Sequence, residues 1–300
     1  MSDLGYINGV IKSKSTELLD LKQVDQLNNL SKDMLINTLQ SMQIFKKELT
    51  NDEAFMKDEI ELKAFLMTLY PANHLIFQLF YLSDDHRVLS NVIKEKLLGL
   101  DVELDNRLAN IKSSDVLEGL SNNKDLKQLF ESLKIKSSKE ISDATFKYLH
   151  GEIRNKVKKA NDDALTLYFK KFTDKENLML YMRARVFKLS LDTFYPYFLE
   201  GGDIKVSFFN ELDKIDLKDA YAELRKFYKV ENFKSQGKLG SHDFLALLNI
   251  DLGQDLLDII ESLTYNLDGY SPSIEYILRR RQIMQSIKEI YYKKEREVNV

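Results

Sequence analysis

The sequence predicts an all-α protein, and three observations carry that prediction. Three prolines and eleven glycines interrupt 300 residues, so helix breakers are scarce. Apolar residues recur at three- and four-residue spacing among abundant Leu, Lys, Glu and Asp. No convincing run alternates with a period of two; "IKVSFF" at 204–209 comes nearest and is short.

In chain order, "YINGVIKSKSTELL" predicts an N-terminal helix carrying Ile7, Val10 and Ile11 on one side. Ser31 reads as the N-cap of the next apolar-periodic run, and Ser83, Ser138 and Ser271 do the same further on. "NDEAFMKDEIELKAFLMTLY" predicts a helix that bends at Pro71. One long helix is expected over roughly 138–172, where Ile141, Leu149, Ile153, Val157, Ala160, Ala164 and Leu167 recur at helical spacing. "ENLMLYMRARVFKLSLD" at 176–192 also reads as helix, Gly201-Gly202 as a helix C-cap and turn, and 241–263 as a further helix begun by Ser241, His242 and Asp243. Pro272 suits the first helical position after Ser271, where a missing N–H costs nothing.

Composition narrows the function. A 44% hydrophobic, 30% charged chain has the balance of a globular protein. A formal net charge of −3 argues against a large nucleic-acid footprint, which needs a basic excess. With no cysteine, neither a disulfide framework nor a thiolate metal site is available. The acidic, polar start is not a signal peptide, and the densest apolar run, "HLIFQLFYL" at 74–82, is too short to span a bilayer.

A pattern repeats along the chain. Leu178, Tyr181, Met182, Arg183 and Arg185 recur as Leu89, Val92, Ile93, Lys94 and Lys96, as Ile274, Ile277, Leu278, Arg279 and Arg281, and as Ile7, Val10, Ile11, Lys12 and Lys14. The first basic residues are 82, 89 and 96 residues apart. Near-regular spacing predicts an internally triplicated architecture, with the N-terminal copy docked into the last unit. At about 100° per residue, Arg185 falls about 340° round from Leu178, inside the apolar arc of Tyr181, Met182 and Leu189, while Arg183 falls at about 140°. The same arithmetic aims Lys14, Lys96 and Arg281 into apolar surface. A cation so placed is either a structural ion pair or snorkelling stem, or a group lining a cavity that faces an acidic partner.

Motifs for chemistry are few. There is no G-x-x-x-x-G-K-[ST] and no H-E-x-x-H, and the four histidines are scattered. His242-Asp243 admits a helical metal-dependent phosphohydrolase, although the nearest upstream histidine, His150, is far away. The acid pairs at 84–85 and 162–163 read as solvated or first-turn residues. No catalytic constellation, cofactor site or metal site emerges, and the expectation is an interaction protein, with an all-helical scaffold or adaptor as one form of it.

Longer stretches carry a resemblance. "YINGVIKSKSTELLDLKQVDQLNNLSKDMLINTLQ", "DDHRVLSNVIKEKLLGL" at 84–100, "DKENLMLYMRARVFKLSLDTFYPYFLEGGDI" at 174–204 and "SPSIEYILRRRQIMQSIKEIYYKK" at 271–294 resemble the C/d subunit family of rotary V-type and A-type ATPases. The chain departs from that family's pattern at Gln282 and Lys288. The resemblance implies a funnel of three pseudo-threefold helical units, here 21–112, 113–200 and 201–300, with helix 1–20 packed into the third. It implies a non-catalytic, cofactor-free coupling role, peripheral at the cytoplasmic face of the membrane. The partners would be the central-shaft subunits of the soluble ATPase sector and the membrane ring of ion-carrying subunits.

Overall fold

The computed structural model describes residues 4–44, 51–100, 106–228, 233–241, 243–263 and 269–298. Every regular element among them is helical. The chain opens with α1 (Leu4–Ser15), α2 (Leu21–Leu27), α3 (Lys32–Ser41) and α4 (Asn51–Leu69). Asp20 caps α2 by accepting from the Gln23 N–H, and the Gln23 side chain returns the bond to the Asp20 N–H. Ser31 caps α3 through the Met34 N–H. At Pro71 the chain breaks rather than bends. α4 ends at Leu69, and helix resumes as α5 (Leu75–Phe80) behind His74, whose Nδ1 accepts from the Ile76 N–H.

α6 (Leu82–Leu98) follows at once, because Tyr81 ends α5 and begins α6. That shared junction leaves no free turn for Ser83 to cap, so Ser83 lies inside the helix. After α7 (Ser113–Asn122) and α8 (Lys124–Ser132) comes α9 (Ser138–Ala160), capped by Ser137 with Glu140 completing the box. The single long helix expected over 138–172 is two. Asn161 takes a left-handed conformation (φ 49°), and Asp162 caps α10 (Asp163–Val186) through the Leu165 N–H. Asn tolerates that backbone where other residues resist it, so the apolar period runs on while the direction reverses. His150 then stacks on Phe169 at 4.7 Å, and its Nε2 lies 2.9 Å from the Thr173 hydroxyl.

The rest is α11 (Leu191–Phe194), a 3-10 turn at Tyr195–Tyr197, α12 (Val206–Leu212), α13 (Leu217–Arg225), α14 (Phe244–Glu261) and α15 (Ser271–Val298). The stretch closest to a strand pattern, 204–209, runs into α12. Gly201 (φ 107°) belongs to an open turn between the 3-10 element and α12, not to a helix cap.

Two compact units result, Met1–Pro71 with Leu263–Val300, and Ala72–Ser262. In the first, α1 lies on α15 with Ile7 and Ile11 buried, and Asn8 Nδ2 donates to the Gly269 carbonyl at 3.1 Å. Its core sets Val24, Leu27, Leu35 and Leu39 against Ile283, Ile287, Ile290 and Tyr291. Arg280 pairs with Asp58 at 2.6 Å and Arg281 with Glu59, joining α15 to α4. In the second unit α6 packs on α9 around Val88, Val92, Ile93 and Ile141, and α10 on α14 around Tyr181, Met182, Phe209 and Leu252. Among the described residues no helix is long and apolar enough to cross a membrane.

Candidate interaction surface

The basic residues singled out in the sequence meet different fates. Arg185 is 16% exposed. Its Nη1 donates to the Tyr181 hydroxyl (2.6 Å) and the Leu212 carbonyl (2.9 Å), and its Nη2 donates to the Ile215 carbonyl (2.7 Å). Asp213 lies 3.4 Å away. The guanidinium thus fills the C-terminal end of α12, where helix carbonyls lack partners and the helix dipole is negative. Burial pushes the Tyr181 phenol up to about 12, opposed by Arg185 beside it. Arg281 sits half-buried on Glu59. Arg279 pairs with Glu275 one turn back at 2.9 Å, and Lys14 with Glu17 at 2.7 Å.

Lys96 departs from expectation. It is exposed, two residues before the end of α6, solvated and favourably placed for the helix dipole. The angular argument places Arg185 and Lys96 alike; what differs is α12, which brings carbonyl acceptors to Arg185. Leu189 departs for another reason: α10 ends at Val186, so its angle no longer applies. Lys12 and Arg183 are exposed and Lys94 is half-buried.

Other recurrences went unread in the sequence. Asp85 and Asp174 each lie nine residues ahead of a basic residue of the pattern, Lys94 and Arg183. Asp85 is buried, not solvated, and accepts from the Asn110 and Ile111 N–H groups and from the Asn110 amide. Asp174 is buried likewise and accepts from the Asp203 (3.1 Å) and Ile204 (3.0 Å) N–H groups. Both α6 and α10 lead into a left-handed residue, Gly99 (φ 64°) and Lys188 (φ 53°), flanked by exposed apolar side chains. These are Leu98 and Leu100 (40% and 43% exposed) and Phe187 and Leu189 (61% and 47%). The 89-residue offset of the basic residues holds for all of them, and was the signal available. Arg280, which the pattern passed over, makes the closest tie to α4 alongside Arg281.

Arg183 lines a cavity of about 240 Å³ together with His86, Ser142, Asp143, Glu176 and Tyr197, among others. Burial lowers the His86 pKa, with Lys94 assisting, so the ring is neutral near pH 7. Burial raises Asp143 against Lys139 and Lys94, and raises Glu176 against Lys175 and Arg183. The cavity gathers a serine, a histidine and an aspartate, but not as a nucleophilic relay. His86 Nε2 lies 2.8 Å from the Ser142 carbonyl and carries its proton there, so it has no lone pair to offer the Ser142 hydroxyl at 3.5 Å. Among the described residues no three His, Cys, Asp or Glu side chains gather as a metal site. His242 lies outside the described residues; Asp243 precedes α14 at its N-cap position.

No protein-family model matches the chain, and no curated protein is similar to it.

Proposed function

We propose that the chain is a non-catalytic central-stalk subunit of a V-type or A-type rotary ATPase, coupling the shaft of the soluble sector to the membrane ring of ion-carrying subunits. The observation that carries this reading is the duplicated end of α6 and α10: a buried loop-holding aspartate, a basic residue, a left-handed residue and two exposed apolar side chains, these positions repeated at one offset of 89 residues. A repeated exposed feature suits a partner that presents like sites more than once. The seating of α1 on α15 supports the idea that the first copy of the pattern completes the last. The sequence resemblance supplies three units, 21–112, 113–200 and 201–300 with helix 1–20, arranged as a funnel; the apolar clusters around α6, α10 and α15 match them in number but not in bounds, each crossing a boundary between units. The sequence resemblance supplies the identity of the partners and a cytoplasmic, peripheral location.

The experiment is removal of this chain from the assembled pump. The soluble sector should still hydrolyse ATP but neither dock on the membrane ring nor drive ion movement. Loss of hydrolysis in the soluble sector, or ion pumping at normal rates without the chain, would exclude the coupling role and leave the adaptor reading.

A further inference from the structure

In the unit Ala72–Ser262, the cavity of about 240 Å³ between α6, α9 and α10 has a bonded frame and unbonded charges. Its walls are tied. The Asn177 side chain donates to the Leu199 carbonyl (2.8 Å) and accepts from the Leu199 N–H (2.7 Å). His86 bonds to the Ser142 carbonyl and stands edge-on to Phe146, ring centres 5.2 Å apart. Three charged side chains of the lining, Glu176, Arg183 and Asp143, make no hydrogen bond or ion pair among the described residues. Opposite charges that share a cavity without bridging one another are complementary to a ligand that carries both.

The charges are also spaced. Glu176 and Arg183 lie seven residues apart on α10, so they share a face, with Cα atoms about 10 Å apart along the axis. Arg183, the longer side chain, reaches back toward the N-terminus of α10, which brings the two charges nearer. The reversal at Asn161 sets α9 antiparallel to α10, with His150 against Thr173. Asp143, seven residues before His150, therefore comes level with Leu180, between the other two. Lys94 and Lys139 act on Asp143, and Lys175 on Glu176, without bonding to them; Lys139 lies over the Phe194 ring at 4.4 Å.

We propose that this cavity binds a dipeptide: Arg183 takes the C-terminal carboxylate in its planar fork, Glu176 takes the N-terminal ammonium, and Asp143 accepts from the amide N–H between them. An extended pair of residues spans about 7 Å, which matches the shortened gap between the two charges, whereas a free amino acid is too short to reach both ends. With room for about eight waters, the cavity takes two small residues and not a longer peptide. Phe146, Met179 and Leu180 offer apolar surface to one aliphatic side chain. Burial disfavours the ionised forms of Glu176 and Asp143, and the dipeptide's N–H groups return donors in place of the water they lack. This inference does not depend on the coupling role.

Methyl NMR titration of the full chain with glycyl-leucine, read at Met179 and Leu180, tests it. One site should saturate with a dissociation constant of about 1 mM or below. N-acetylation or C-terminal amidation of the dipeptide should each weaken binding at least about tenfold. Leucine alone and glycyl-glycyl-leucine, with their charges too close or too far apart, should bind at least about fivefold more weakly. Two variants separate recognition from a damaged fold. Arg183→Gln, an exposed change, should bind glycyl-leucine and its C-terminal amide within about twofold of each other, and Glu176→Gln should do the same for glycyl-leucine and its N-acetyl form. No saturation by about 10 mM, blocked dipeptides or leucine that bind as well as the free dipeptide, or variants that keep the parent's discrimination would overturn the site.

Discussion

Arg185 spends its guanidinium mainly on neutral oxygens, two of them carbonyls at the end of α12. Removing it leaves those carbonyls short of a donor, while half-exposed Asp213 can turn to water. Arg185→Ala should therefore lower unfolding stability by about 2–3 kcal/mol in urea titration, less than for a fully buried ion pair. Arg185→Lys should recover less than half, since an ammonium cannot span the fork of acceptors. An unmoved urea midpoint would remove the tie from the account. His150 gives a pH dependence of definite sign. Burial lowers its pKa to about 4, with Arg154 adding to the shift. The unfolded chain then binds the proton more readily than the fold does, and stability contributed by neutral His150 is lost as pH falls below about 6.5. From pH 7 to 5 that loss is about 2 kcal/mol, and His150→Gln should lack it. Burial pushes the Asp174 carboxyl up to about 6, which acts in the opposite direction over about pH 4–6, so the loss is read as the difference between parent and variant.

At the scale of elements, the turn at Asn161 decides whether 138–186 is a rod or a hairpin. Asn161→Gly should be near neutral, and Asn161→Val should cost about 1–2 kcal/mol, because a β-branched residue resists the left-handed backbone. Equal thermal stability of the two variants would count against that assignment. This is also where the sequence was hardest to read. Ile153, Val157 and Ala164 keep helical spacing across the break, and periodicity alone does not register one reversed residue. The helical character of the described residues was legible in the scarcity of Gly and Pro, and the inward aim of Arg185 in the helical period, since both follow from local geometry. The exposure of Lys96 was not, because it turns on the absence of an acceptor that only tertiary packing brings. The buried role of Asp85 was hidden for a like reason: its donors come from residues 110 and 111, far along the chain.

For the molecule as a whole, the partition into units predicts unequal independence. Residues 72–262 carry the α6–α9 and α10–α14 cores within one stretch of chain. Expressed alone, that segment should unfold cooperatively. Residues 1–71 expose Ile7, Ile11, Leu35 and Leu39 until α15 covers them, and alone should give neither a cooperative transition nor slow hydrogen exchange. Mixing 1–71 with 263–300 should restore both, and failure to do so would show that the joined ends are not a self-sufficient core.

The seating of α1 on α15 also sets a timetable. Synthesis runs from the N-terminus at about 5–20 residues per second, so the first helices leave the ribosome well before the helix that shelters them exists. For that interval their apolar faces must be endured or shielded, and the segment between them becomes the first stable body. A stall late in translation would therefore yield a chain with a finished middle and an adhesive beginning, a natural client for a chaperone.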